Sequence, residues 1–235
     1  MQVAQVITAP ILLSALAGGV LPTFLWLYFW LRQCNEHEPR ALVGLSFIVG
    51  AAAVMVTIPL QHVLSDYYSG WEWFVFVAAG VEEIIKYGLL RLVVLRSNFI
   101  QRPVDYTVFL VAAALGFAAL ENTLYLLKPL LADNVPLALS TGNLRFLGST
   151  VVHAVSSALF GLWLGISFCK RGPFKLLAVI MAIITATALH GIFNYFIISD
   201  NKTIVVATLV ATWVAMSAAV IAVHQASRVT TCPVE

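Results

Sequence analysis

Glu82-Glu83, Glu121, His153 and His190 interrupt four otherwise apolar stretches of the chain. Carboxylates and imidazoles are the side chains that move protons, activate water, stabilise an oxyanion or ligate a metal. An ionisable group in hydrocarbon is costly, so it faces a bundle interior and marks a function by default. The third stretch reads Gly80-Val81-Glu82-Glu83-Ile84-Ile85-Lys86-Tyr87-Gly88. On a helix, Glu82 can pair with Lys86 at i+4, and Glu83 is within reach of the same cation at i+3. One lysine cannot neutralise two carboxylates, so the second is left to find a proton, a histidine or a metal. A carboxylate in that position suits a general base for water. Taken alone, the motif would serve equally well as an ion pair locking two helices.

The fourth stretch places Phe117, Glu121 and Tyr125 on one helical face, with Gly116, Ala118 and Ala119 allowing close helix approach. By itself Glu121-Asn122 reads as a polar clamp between helices, with Asn122 bonding a backbone across the interface. His153 is followed by the small residues Ser156, Ser157 and Gly161, which leave the imidazole room. His190 and Asn194 lie one turn apart on one face. A lone helical histidine is usually a packing residue; two of them beside three carboxylates make a reaction site. His37, His62 and His224, at loops or span ends, read as bystanders, and Glu36-His37-Glu38-Pro39 reads as a solvated turn.

The elements that must position these groups follow from composition. Of 235 residues, 61% are hydrophobic and 10% charged, with a mean hydropathy of +0.94. A soluble domain carries about a quarter charged residues, so a water-exposed surface cannot be built from this chain. The fold class is all-α: a polytopic membrane protein of about seven transmembrane helices in one domain spanning 1–235. Spans are predicted at Ile7–Leu31, Leu42–Leu64, Trp73–Leu95, Val104–Leu127, Leu144–Phe168, Phe174–Ile198 and Ile204–His224. Breakers between them include Ser69-Gly70, Arg102-Pro103, Asn134-Val135-Pro136 and Gly172-Pro173. The first stretch lacks the basic start of a cleaved signal and reads as a retained span.

Arg32, Arg40, Arg96, Arg102, Lys170, Arg171, Lys175 and Arg228 fall on one side, against Lys128, Arg145 and Lys202 on the other. This asymmetry predicts an outside N-terminus and a cytoplasmic C-terminus. Tyr67, Tyr68, Trp71 and Trp73 then form an aromatic anchor at the outer interface. At about 1.5 Å per residue, Glu82 and His190 lie roughly 15 Å below that interface, with Glu121 and His153 roughly 10–12 Å down. All four reach one layer of the outer half although their helices alternate in direction. Cys34, Cys169 and Cys232 are scattered, so neither a disulfide framework nor a thiolate zinc site is expected. A net charge of +2 gives no reason to expect nucleic acid.

Glu82-Glu83-x-x-Lys86, Phe117-x-x-x-Glu121-Asn122, His153 and His190-x-x-x-Asn194, in that order, resemble the PrsW family of glutamic-type intramembrane proteases. That family falls within a larger group with the CAAX prenyl and bacteriocin-immunity-type membrane proteases. Glu38-Pro39 and Pro103-x-Asp105 are similar too, and the likeness runs from the first loop through the sixth span. The CAAX branch has a histidine where this chain has Glu121, which favours the PrsW branch.

The resemblance implies an endopeptidase of a bacterial or archaeal plasma membrane that cuts a single-pass protein of the anti-sigma-factor type on its extracytoplasmic side. It implies Glu82 as the base and Glu83 as its partner. His153 and His190 would hold water or the scissile carbonyl, Asn194 would help with the oxyanion, and Lys86 would tune the acidic pair. Glu121 and Asn122 belong to the same motif set. No cofactor is implied. Two other readings stay open: a zinc metalloprotease with Glu82, Glu121, His153 and His190 as donors, although no HExxH is present, and a proton-coupled transporter. The clustering at one depth and the lack of an inverted repeat count against the transporter. A non-catalytic scaffold is a third alternative.

Overall fold

The computed structural model describes residues 7–33, 39–67, 70–96, 98, 100–170 and 172–228. Every regular element among them is helical: α1 (Ala9–Leu31), α2 (Arg40–Ser65), α3 (Trp71–Val93), α4 (Pro103–Leu131), α5 (Val135–Leu144), α6 (Thr150–Ile166), α7 (Pro173–Ile197) and α8 (Lys202–Ala226). A single π-turn, Arg145–Ser149, joins α5 to α6 without a break in the chain direction.

Six of the resulting spans are long and apolar enough to cross a membrane, α5 through α6 counting as one. The seventh, α3, has the length but carries Glu72, Glu82, Glu83, Lys86 and Arg91. The seven predicted spans are therefore all present as helices. The fifth begins earlier than predicted, because Asn134-Val135-Pro136 starts a helix and does not merely break one. Asn134 Oδ1 accepts from Leu137 N at 3.0 Å, and Pro136 sits in the first turn, where a missing N–H costs nothing.

α4 is the central pillar. It packs on α1, α2 and α6 and is buried along nearly its whole length. Its start is fixed by Pro103 in the first turn and by Asp105, whose Oδ2 accepts from Gln101 N and Arg102 N at 2.8 Å each. In lipid there is little hydrophobic drive between helices, so close backbone approach has to supply the packing. Here it does so at two glycines. A Cβ on Gly116 would stand 1.9 Å from Phe47 O, and one on Gly50 would stand 1.8 Å from Ala113 O. α2 and α4 therefore cross almost backbone to backbone. α3 closes onto α2 and α7, and α6 onto α4 and α7, which brings α3, α4, α6 and α7 around one polar interior.

Tyr67 and Trp73 are exposed at the end of the bundle expected to form the outer interface. Tyr68, the side chain of Trp71 and the Glu36-His37-Glu38 turn lie outside the described residues. Cys169, after α6, is disulfide-bonded, a bridge of which the scattered spacing gives no sign; Cys34 and Cys232 lie outside the described residues.

Candidate active site

α3 supplies three buried charged side chains, Glu82, Glu83 and Lys86. Of the two pairings the spacing allowed, the i+3 pair forms: Lys86 Nζ donates to Glu83 Oε1 at 2.7 Å. The same oxygen accepts from His190 Nδ1 at 2.9 Å and from Ser156 Oγ at 3.2 Å. Glu83 Oε1 thus takes three contacts, and it ties α3 to α6 and α7. The expected Glu82–Lys86 pair does not form, because Lys86 turns to Glu83 and, at 3.4 Å, to His153 Nδ1. Lys86 Nζ also lies 5.1 Å from the centre of the Phe117 ring, a cation–π contact that helps hold a buried ammonium.

Glu82 is held differently. Gln61, on α2, donates to Glu82 Oε1 at 2.9 Å and to Ala78 O at 3.2 Å. Glu82 Oε2 is buried with no hydrogen-bond partner. It lies 3.6 Å from Nε2 of His190, the ring nitrogen that Glu83 does not occupy. A buried carboxylate oxygen without a donor is costly, and Glu82 lines a cavity of about 450 Å³ together with Glu121, Tyr125, Arg145, His153, His190 and Asn194.

On α4, Glu121 Oε2 lies 3.0 Å from His153 Nε2 and also receives Arg145 Nη2. Glu121 thereby joins the same polar cluster as His153. Asn122 bonds side chains and not a backbone: its Oδ1 accepts from Arg145 Nε at 2.6 Å, and its Nδ2 donates to Thr150 Oγ1 at 3.0 Å. The two imidazoles meet edge to face with ring centres 4.5 Å apart. Glu82, Glu83, Lys86, Glu121, His153 and His190 form one continuous cluster, with Asn122 behind it and Asn194 on the cavity wall. His62 and His224 are exposed and away from it, and His37 lies outside the described residues.

Two members of the site were not foreseen. Arg145 was counted as a loop cation, and Gln61 was passed over near a span end. The signal for Arg145 was present: once Asn134 and Pro136 are read as a helix start, Arg145 lies roughly 15 Å inside the span by helical rise. A larger groove of about 860 Å³ between α1, α4 and α5 is lined by apolar and small polar residues without a titratable group, so the chemistry is not there.

A family model described as "PrsW family intramembrane metalloprotease" matches residues 38–223, from the turn before α2 to the end of α8. The chain belongs to the PrsW family. Protease PrsW of Bacillus subtilis is 26% identical over 188 residues, covering 78% of this chain and 83% of that protein. Protease PrsW of Geobacillus kaustophilus is 28% identical over 195 residues, with 80% and 82% covered. Protease PrsW of Clostridioides difficile is 26% identical over 195 residues, with 77% and 79% covered. No solved structure matches the chain. As a PrsW protein with this many apolar helices, it is a membrane-embedded peptidase, multi-pass in the cell membrane. The transporter and scaffold readings fall away.

Proposed function

We propose that the chain is an intramembrane endopeptidase in which Glu82 activates the hydrolytic water and His190 helps to hold it. The observation that carries this reading is the buried, unpartnered Glu82 Oε2, 3.6 Å from Nε2 of His190, on a residue that lines the cavity. A water there would donate to Glu82 and lie against His190. Glu82 takes the proton as the water oxygen bonds to the scissile carbonyl carbon, and that proton then passes to the departing amine as the C–N bond breaks. Asn194, one turn from His190 on the cavity wall, has an amide suited to the developing oxyanion. Gln61 fixes the non-reacting oxygen of Glu82, and Glu83 fixes the His190 ring.

The proposed substrate is a single-pass membrane protein of the anti-sigma-factor class, cut toward the extracytoplasmic side. The family resemblance suggests that class, and the Lys/Arg asymmetry of the loops supports the side.

A second reading has its own support. One ligand atom each from Glu82, His153 and His190 lies within 4.8 Å of the other two, and two histidines with one carboxylate are a usual catalytic zinc set. The orphaned Glu82 oxygen fits that role, as does the description of the matching family as a metalloprotease. Zinc bound there would supply a Lewis acid and a more acidic water. His190 would offer Nε2 without losing its bond to Glu83, whereas His153 would have to release Glu121 or Lys86. Glu121, the fourth donor suggested by the sequence, is not one of these three, and its Oε2 is held by Arg145 and His153.

The test is cleavage of a single-pass anti-sigma-type substrate by the protein in lipid nanodiscs. Glu82→Gln should lower the rate about 10²–10⁴-fold, the usual contribution of a general base. Cleavage that survives a chelator supports the metal-free reading. Loss with chelator, regained with zinc, supports the second. A wild-type protein that cuts other single-pass proteins but no anti-sigma-type substrate overturns the substrate assignment.

A further inference from the structure

We propose that Ala78 is a specificity-determining residue of this peptidase: it forms a recess, one helical turn from Glu82, that receives one aliphatic side chain of the substrate beside the bond to be cut. The inference rests on the reading of Glu82 and His190 as the pair that holds the hydrolytic water.

The cavity has two unlike walls. Toward α4, the π-turn and α6 it presents Glu121, Tyr125, Arg145, Ser149 and His153. Toward α3 and α7, beyond Glu82 and His190, it is apolar apart from Asn194: Phe74, Val75 and Ala78 on α3, and Phe193, Ile197 and Ile198 on α7. A polypeptide backbone taken out of water needs hydrogen-bond partners, and the first wall is the one rich in them. The second offers dispersion and the exclusion of water, which suit an apolar side chain. A chain lying between the two walls is best accommodated with its main chain toward the first and a side chain against the second.

Spacing puts the apolar wall next to the chemistry. Phe74, Ala78 and Glu82 follow one another at i+4 on one face of α3, as His190, Asn194 and Ile198 do on α7. A Cβ on Gly80 would stand 3.3 Å from Thr187 Cγ2, and one on Gly191 would stand 2.4 Å from Phe76 Cδ1. These two contacts make α3 and α7 antiparallel and closely packed. Ala78 therefore lies level with Asn194, about 6 Å along the axis from the level of Glu82 and His190. Phe74 and Ile198 lie one turn further on.

Of the apolar residues on this wall, Ala78 alone has no side chain beyond Cβ, so the wall is recessed there, between Phe74 and the reactive pair. The recess is held in place. Gln61 Nε2 donates to Ala78 O at 3.2 Å and to Glu82 Oε1 at 2.9 Å, so one amide grips the recess and the base together. The contacts at Gly80 and Gly191 fix the spacing of α3 and α7, and a larger side chain at position 78 must take its volume from the cavity. Such a recess takes Val, Leu or Ile. It rejects Asp and Glu, whose charge would find no partner on the wall and would stand near Glu82.

The test is a library of single-pass proteins in nanodiscs. Each residue of the segment flanking the span, and of the first turns of the span itself, is varied through Gly, Ala, Val, Leu, Phe and Asp, and cut sites are read by mass spectrometry. Wild type should show one position beside the cut where Leu or Val is favoured over Ala by about 10–200-fold, the worth of a methylene in an apolar pocket, and where Asp is not cut. Ala78→Val fills the recess and should reverse the order at that one position, placing Ala above Leu. Ala78→Gly deepens it and should admit Phe. A damaged fold lowers cleavage of every member alike and cannot produce a reversal. Preferences unchanged at every position in either variant that folds overturn the proposal, as does an equal loss on every member. A wild type that cuts no member also overturns it, since every class of side chain is offered at each position. Glu82→Gln separates this proposal from the reading beneath it. If Glu82→Gln still cuts while Ala78→Val reverses the preference, the role of Glu82 falls and the recess stands. If Glu82→Gln is inert and the preferences do not move, the recess falls and the base stands.

Discussion

Glu83 Oε1 and His190 Nδ1 stand 2.9 Å apart, and that contact decides which edge of the imidazole faces the cavity. With Nδ1 engaged, Nε2 is turned to within 3.6 Å of Glu82 Oε2. The adjacent glutamates thus differ, since Glu83 meets a histidine, a lysine and a serine through one oxygen while Glu82 is left with an unpartnered one.

The orienting carboxylate is tested by Glu83→Gln. Losing an orienting partner of a functional histidine typically costs 10–100-fold, so kcat should fall by that factor while KM holds. Single-turnover cleavage in nanodiscs would check it, and an unchanged rate would remove Glu83 from the mechanism.

Removal of the cation should show in stability. Lys86→Met strips Glu83 of its ammonium and leaves a buried charge short of a partner, a loss of about 3–5 kcal/mol in comparable buried pairs. The Lys86→Met, Glu83→Gln double variant removes both charges and should melt closer to wild type than Lys86→Met alone. It should nonetheless stay impaired in cleavage, because His190 has lost its carboxylate. Thermal unfolding in detergent beside the cleavage assay separates the two effects.

Gln61→Leu keeps the approximate size of the side chain and takes away the donor to Glu82 Oε1. An unsatisfied buried acceptor costs about 1–3 kcal/mol. If half of that is felt as misplacement of Glu82, the rate falls about 2–13-fold, since about 1.4 kcal/mol is a factor of ten. A Gln61→Leu protein with full kcat would show that Glu82 needs no such brace.

The packing has a contrast built into it. Gly116→Ala drives a methyl into Phe47 O, whereas Gly44 has nothing within 4 Å of where its Cβ would stand. Gly116→Ala should prevent a stable fold in detergent. Gly44→Ala should leave the melting temperature unchanged or raise it, because alanine is favoured over glycine in a helix by about 1 kcal/mol. Size-exclusion profiles and melting curves of the two would check this.

The site was legible in the sequence wherever a charged or imidazole side chain stood inside a recognisable apolar run. Glu82, Glu83, Glu121, His153 and His190 stand out that way; the depth reckoning for His153 does not hold, because it starts from Arg145, which lies inside a helix that begins at Val135. The finer assignments were not legible, because two partners can be equally reachable by spacing: Glu82 and Glu83 could each have taken Lys86, and the presence of His190 and Ser156 beside Glu83 settled it. Arg145 was hidden by a different ambiguity. Asn134-Val135-Pro136 has the composition of a loop and also of a helix start, and only the continuation through a π-turn shows which. Gln61 carries no charge, and nothing in the pattern of α2 distinguishes it from a polar residue near a membrane surface.

The helix that carries Glu82 is also the one that lipid by itself would reject. Charged residues at mid-span cost about 2.5–3.5 kcal/mol each at insertion, and α3 has Glu82, Glu83 and Lys86 close together. Gln61 on α2 precedes it and Lys86 pairs with Glu83 within it, but the other groups that meet these charges come later in the chain: Ser156 and His153 on α6, then His190 on α7. During synthesis α3 must therefore wait for company, and its stable seat exists only once about four-fifths of the polypeptide has emerged. Order of manufacture thus acts as a safety catch, since an unfinished copy cannot assemble the apparatus with which a finished one cuts.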